Sequence, residues 1–256
     1  YPPPKVGGFT ATDDKKTIRA ALDSNLQRLQ TDHIDIYQLH WPERQTNFFG
    51  QRGYTESMAQ QDTKELTPFL ETIEALNDEI TKGRIRAYGL SNDTPWGVMR
   101  YLAEADKNGF ARPITIQNPY SLLNRLYEVG LAEISHREQI GLLAYSPLAF
   151  GVLSGKYLGG NKPANSRLSL YSHFTRYLNE QAQQATEAYA EVAKKHHLDM
   201  AQMALAFVNS RSFVTANIIG ATTTQQLASN IASVGLVLSQ EVLADIEAVQ
   251  TLYPNP

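Results

Sequence analysis

Ile34-Asp35-Ile36-Tyr37-Gln38-Leu39-His40-Trp41 is an apolar run of strand length that ends on a polar residue, set between two segments of helical period. Before it, Lys15 to Leu29 places Ile18, Leu22, Leu26 and Leu29 on one face behind the capping candidates Thr12, Asp13 and Asp14, which predicts a helix. After it, Phe69 to Thr81 carries a second helical pattern. The alternation then repeats. Strands are expected at Ile85 to Asn92, Ile114 to Gln117, Gly141 to Pro147 and Asn217 to Ala221. Helices are expected at about Pro95 to Lys107, Arg125 to Arg137, Asn179 to His196, Ala201 to Asn209, Gln225 to Ser233 and Gln240 to Leu252.

Strands buried on both faces and separated by helices imply parallel pairing, which leaves a doubly wound sheet or a (β/α) barrel. The polar residues choose between them. His40, Ser91-Asn92, Gln117, Ser146 and Gly220 each stand at the C-terminal end of an expected strand, where a barrel builds a shared site. The expected fold is therefore an α/β (β/α)8 TIM barrel. A closed barrel needs about eight strands and roughly 250 residues, whereas five runs are legible here besides a stub at Lys5-Val6. The N-terminal strands are thus expected to be missing or incomplete. The reading is one domain over residues 1–256, with 1–11 as an N-terminal remnant and 12–252 as the βα units. Two long connections interrupt the rhythm, Pro42 to Thr67 and Gly155 to Leu170. Connections of that length are usually functional: the first is read as a wall of a substrate pocket or else a solvated insertion, the second as a loop covering a cofactor.

Composition narrows the chemistry. The 256 residues hold 42% hydrophobic and 19% charged side chains, the balance of an ordinary globular chain. With no cysteine, disulfides, thiolate catalysis, zinc-thiolate sites and iron–sulfur clusters are excluded. A net charge of −3, from 23 Lys+Arg against 26 Asp+Glu, argues against nucleic acid as a partner. No apolar run approaches the roughly 20 residues of a membrane span, and Tyr1-Pro2-Pro3-Pro4 is unlike a signal sequence. A cytoplasmic location is expected. No His-Glu-x-x-His spacing marks a metal site, and Lys194-Lys195-His196-His197 suits the C-terminal end of a helix dipole.

Five motifs in fixed order carry a family resemblance: Leu39-His40-Trp41-Pro42; Gly89-Leu90-Ser91-Asn92; Ile116-Gln117-Asn118-Pro119-Tyr120; Tyr145-Ser146-Pro147-Leu148 with Gly155-Lys156-Tyr157; and Gly220-Ala221-Thr222 through Asn230. The set resembles the aldo-keto reductases, in particular their bacterial Tas-like branch and the related β subunits of voltage-gated potassium channels. The match runs from Thr12 to Leu252. The resemblance implies NADPH as cofactor and an aldehyde or ketone as substrate. His40 matches the family histidine, whose imidazole N–H orients a carbonyl oxygen; alone, such a histidine reads as structural. Tyr1 resembles the family's acid tyrosine and Lys5 its lysine, although a helix separates the two in the family, and a terminal tail is the other reading. No counterpart of the family aspartate is visible.

The same resemblance assigns cofactor contacts. Ser91, Asn92 and Gln117 match positions that hydrogen-bond the nicotinamide carboxamide, and Tyr145 matches the residue that stacks on the ring. Ser146, Pro147, Leu148, Gly151, Leu153, Gly155 and Lys156 match the loop along the pyrophosphate. Gly220, Thr222, Gln226 and Asn230 match the adenosine end, where the helix start offers an anion site. Many relatives carry an arginine there. This chain has none, so Arg167, Lys156 or the helix dipole is expected to meet a 2′-phosphate. Three functions remain open at this point: a reductase, a regulatory or catalytically impaired cofactor-binding homologue, and an unrelated barrel holding a sugar phosphate at Gly220 to Thr224.

Overall fold

Asp14 opens the first helix because its carboxylate accepts the Thr17 N–H at 2.7 Å, filling one of the amide donors a helix start leaves over. Helix α1 (Lys15–Leu29) then buries Ile18 and Leu22 and ends on Gln30 in the left-handed region. The computed structural model describes residues 14–49, 51, 53–61, 66–171 and 173–256. Tyr1, Lys5, the Lys5-Val6 stub and the capping candidates Thr12 and Asp13 lie outside the described residues. The chain divides into two units, Tyr1–Gln117 and Asn118–Pro256.

In the first unit α1 is followed by β1 (Ile34–Leu39), a short helix α2 (Glu56–Ala59), α3 (Phe69–Thr81), β2 (Ile85–Ser91) and α4 (Pro95–Asn108). Strand β3 (Thr115–Pro119) begins in this unit. Strands β1 and β2 pair in parallel from Ile34↔Ile85 to Leu39↔Leu90, and β2 pairs in parallel with β3 through Leu90↔Ile116 and Ser91↔Gln117. Leu22, Ile73, Leu76, Leu90, Leu102 and Ile116 are all but completely buried between the helices and the strands. The helix α4 shows both local signals of its length: Thr94 caps it with Pro95 in the first turn, and Gly109 closes it at φ 67°.

Gly89 sets the register of this unit. The Gln38 amide on β1 reaches Thr115 Oγ1 on β3 at 2.8 Å, passing over the middle strand where Gly89 stands opposite Gln38. A Cβ at Gly89 would lie 2.2 Å from Thr115 Oγ1 and 2.6 Å from Gln38 Nε2. Only glycine leaves that space.

The second unit holds α5 (Leu131–Glu138), β4 (Gly141–Tyr145), α6 (Arg167–Leu170), α7 (Glu180–Lys195), α8 (Met200–Asn209), β5 (Val214–Ile218), α9 (Thr224–Ala232) and α10 (Gln240–Leu252). Strands β4 and β5 are parallel, and α8 is buried along nearly its whole length. Two expectations need correction. The helix expected from Arg125 to Arg137 is instead a 3₁₀ turn, Leu126–Val129, and then α5, with Gly130 at φ −155° between them. The break falls at a glycine, a poor helix former, and before it the Arg125 guanidinium grips Glu128 at 2.9 and 2.7 Å and Glu247 at 2.8 Å, while its N–H donates to Asn255 Oδ1 at 2.5 Å. The last strand also begins and ends earlier than expected, at Ile218 and not Ala221, because its partner β4 ends at Tyr145, which faces Ile218. Gly220 therefore lies beyond the strand end.

Replacing Gly89 by alanine forces Gln38 and Thr115 apart. The variant is expected to lose about 1–3 kcal/mol in urea denaturation; an unchanged midpoint contradicts this role for Gly89.

Candidate active site

Strand β1 delivers His40 one residue past its end, and the adjacent β2 delivers Ser91 and Asn92. Asn92 sits at φ 55°, a conformation asparagine tolerates better than most residues, and this turn directs its amide back across the strand ends. Asn92 Nδ2 donates to the His40 carbonyl at 2.8 Å and to Ser91 Oγ at 3.1 Å, while its backbone N–H donates to the Gln117 carbonyl at 3.1 Å. Ser91 Oγ donates to the same carbonyl at 2.7 Å. Ser91 and Asn92 are buried and His40 is exposed. In this unit the structure brings together His40, Ser91, Asn92 and the backbone of Gln117.

The protein holds His40 by its carbonyl, and among the described residues no side chain hydrogen-bonds its ring nitrogens. Trp41 packs on the ring at 4.4 Å between centroids, and Phe49 meets it edge-on at 6.2 Å. Phe49 also meets Trp41 at 5.7 Å and Phe48 at 5.0 Å, so the long connection after β1 folds an aromatic wall back over the histidine. Desolvation on that packed side holds the imidazole below its ordinary value.

Just behind these strand ends, Arg44 Nη2 pairs with Asp93 Oδ1 at 2.5 Å and with Thr94 Oγ1 at 3.0 Å. Burial pushes the Asp93 carboxyl up, with Arg44 and the Thr94 N–H pulling against it. The sequence offered no sign of this pair, because nothing local in Pro42-Glu43-Arg44 points to Asp93.

In the second unit, Tyr145 ends β4 and its carbonyl accepts the Tyr120 N–H at 3.3 Å. Burial pushes its phenol up to about 12, and Arg176, donating to the hydroxyl, draws it down. Arg176 also lies over the Phe150 ring at 5.8 Å. This arginine was missed; an arginine inside the aromatic run Phe174 to Tyr177 was its one signal. Beyond Tyr145 the chain turns sharply, with Ser146, Ala149, Phe150, Gly151 and Gly155 all at positive φ. Pro147 and Leu153 are buried and Leu148 half-buried beneath the turn. Lys156 curls back over it: a Cβ on Gly151 would meet Lys156 Cε and Nζ at 3.0 Å. Arg167 lies over Phe174 at 4.4 Å and Phe150 at 4.9 Å. At the start of α9, Gln226 Oε1 accepts the Thr222 N–H and hydroxyl at 2.9 and 3.0 Å, and Asn230 Nδ2 donates to the Gly220 carbonyl at 3.3 Å.

The turn after Tyr145 fits a dinucleotide. It is shaped by glycines, one of them with Lys156 where a side chain would begin, and it carries cations seated on aromatic faces. Among the described residues no group of His, Asp and Glu could hold a metal ion, and no single helix is long and apolar enough to cross a membrane.

Comparison with known proteins adds an independent finding. A family model described as "Aldo/keto reductase family" matches residues 5–251. The chain is 54% identical over 243 residues to Protein tas of Escherichia coli (strain K12), covering 95% of this chain and 69% of that protein. It is 36% identical over 229 residues to an aldo-keto reductase of Babesia bovis, covering 85% and 79%. It is 29% identical over 247 residues to a probable voltage-gated potassium channel subunit beta of Oryza sativa subsp. japonica, covering 94% and 69%.

The depressed value of His40 can be checked by following its ring proton in NMR, where the titration midpoint is expected below 6.5. The sign follows from linkage: the folded form binds the proton less well than the unfolded chain, so stability from this residue is present above about 6.5 and is lost as the pH falls from there through the lower folded-state value. A midpoint at or above 6.5 contradicts the desolvated site.

Proposed function

Because the chain belongs to the aldo/keto reductase family, in its Tas-like branch and with the α/β fold class of the (β/α)8 kind, we propose that it reduces aldehydes or ketones to alcohols with NADPH. The observation that carries this reading is the His40 imidazole, anchored through its backbone and bordered by Trp41 and Phe49, with no side chain of the described residues on its nitrogens. A ring held that way has an N–H to offer a carbonyl oxygen, orienting it and stabilising the negative charge that develops there.

When bound, the nicotinamide supplies the hydride. Ser91, Asn92 and Gln117 hold its carboxamide and Tyr145, steadied by Arg176, packs on the ring. The turn from Ser146 through Lys156 follows the pyrophosphate, while Gly220, Thr222, Gln226 and Asn230 take the adenosine end. Arg167 and Lys156 meet the 2′-phosphate and favour NADPH over NADH. Tyr1 and Lys5 serve as the proton-donating pair, and Trp41 with the loop from Phe48 to Tyr54 forms the wall for the substrate's apolar part. The protein works in the cytoplasm on small molecules, without nucleic acid or membrane.

Turnover of 4-nitrobenzaldehyde, followed by loss of the reduced cofactor, tests this. The full chain is expected to consume NADPH only when aldehyde is present, and His40→Ala to lower kcat by about 10²–10³. Cofactor binding without turnover favours the regulatory homologue, and an unchanged rate in His40→Ala removes His40 from the mechanism.

A further inference from the structure

The first unit contains a cavity of about 860 Å³ lined by residues 42–47, by Tyr54 and Met58, and by the starts of α3 and α4. Its lining among the described residues lacks His40, Trp41, Ser91 and Asn92, so it is separate from the strand ends. Tyr54, Met58, Phe69, Trp96 and Tyr101 make its walls apolar, with Phe69 edge-on to Trp96 at 5.7 Å and to Tyr101 at 4.8 Å. Trp96 and Tyr54 are 58% and 64% exposed. Large aromatic side chains of that exposure are a substantial apolar area left facing solvent.

Into this aromatic space comes one guanidinium. Arg44 lies over Trp96 at 5.1 Å and Phe69 at 5.9 Å, and its side chain is 15% exposed. It spends only Nη2 on the protein, on Asp93 and Thr94, which leaves the donors on Nε and Nη1 without a partner among the described residues. Those two nitrogens are not sealed off, for neither is among the buried unpartnered atoms. The Asp93 bond fixes the side chain in advance, so a ligand need not meet the cost of ordering it. Glu43, the acid on the same wall, accepts the Thr67 N–H on Oε2 at 3.2 Å. At the far side α3 begins at Pro68 with no side-chain cap.

We propose that this cavity is a binding site for a planar aromatic carboxylate, its ring against Phe69 and Trp96 and its carboxylate accepting from Arg44. Guanidinium donors bind an ionised acceptor more strongly than a neutral one, and the walls supply the apolar contact. The inference does not rest on the reading of the strand ends, although Tyr54 also belongs to the loop proposed there as a substrate wall.

Calorimetric titration of the full chain with 2-naphthoate, and with 2-naphthalenemethanol as its neutral isostere, tests it. One saturable site for 2-naphthoate is expected. The double variant Arg44→Met/Asp93→Asn, which leaves no buried carboxylate unpaired, should weaken naphthoate by about tenfold or more while leaving the alcohol within about threefold. Trp96→Ala, at a wall residue that is 58% exposed, should weaken both ligands by about fivefold. Absence of saturable naphthoate binding, wild-type affinity in both variants, or loss of binding in His40→Ala, which would place the ligand at the strand ends, overturns the proposal.

Discussion

One asparagine amide ties the strand ends of the first unit together. Asn92 donates from Nδ2 to the carbonyl of His40 and from its backbone to the carbonyl of Gln117, so a single residue spans β1, β2 and β3. It does so in a left-handed conformation and while buried, where an unmatched polar group would cost about 1–3 kcal/mol. The arrangement depends on register, and register depends on Gly89, whose missing side chain lets Gln38 bond Thr115 across β2. The consequence for His40 is specific. Its backbone is tied by Asn92 and its ring packs on Trp41, while no side chain among the described residues hydrogen-bonds the ring nitrogens.

The second unit solves a different problem, a sharp turn after β4. Ala149 and Phe150 occupy positive φ without being glycine, conformations that cost on the order of 1 kcal/mol each. The turn persists because Ala149, Val152 and Leu153 are buried beneath it and Ser154 Oγ donates to the Gly151 carbonyl at 2.7 Å. Phe150, half-buried against Phe174 and Tyr177, is a seat for Arg167 and Arg176. Strain, burial and cation placement are thus parts of one local structure, and the proposed cofactor loop is built from it.

Much of this was legible in the sequence where the determinants are local. The helices Lys15–Leu29, Phe69–Thr81 and Gln240–Leu252 fall where periodicity and caps place them, with Asp14 and Ser239 accepting from the first turns of the two outer ones. Parallel βα alternation follows from apolar strands between amphipathic helices. What the sequence hid depends on distant partners. Arg125 is held by Glu247 and Asn255, more than a hundred positions away. The end of β5 answers to β4. Arg176 beside Tyr145, and Arg44 on Asp93, are contacts that no spacing announces. The strand-end residues stood out by their place at the C-terminal ends of the expected strands, and their individual roles came from the resemblance of their motifs to a known family, since a lone histidine or asparagine at a strand end reads as structural.

The cofactor contacts proposed for His40's neighbours Ser91, Asn92 and Gln117, and for the turn after β4, are tested most directly by a fluorescence titration of the full chain with NADPH and, separately, NADH. Saturable quenching of the Trp and Tyr emission by NADPH is expected, tighter than by NADH, and weaker in Gln117→Ala. Binding to neither nucleotide, or NADPH binding indifferent to Gln117→Ala, contradicts these contacts.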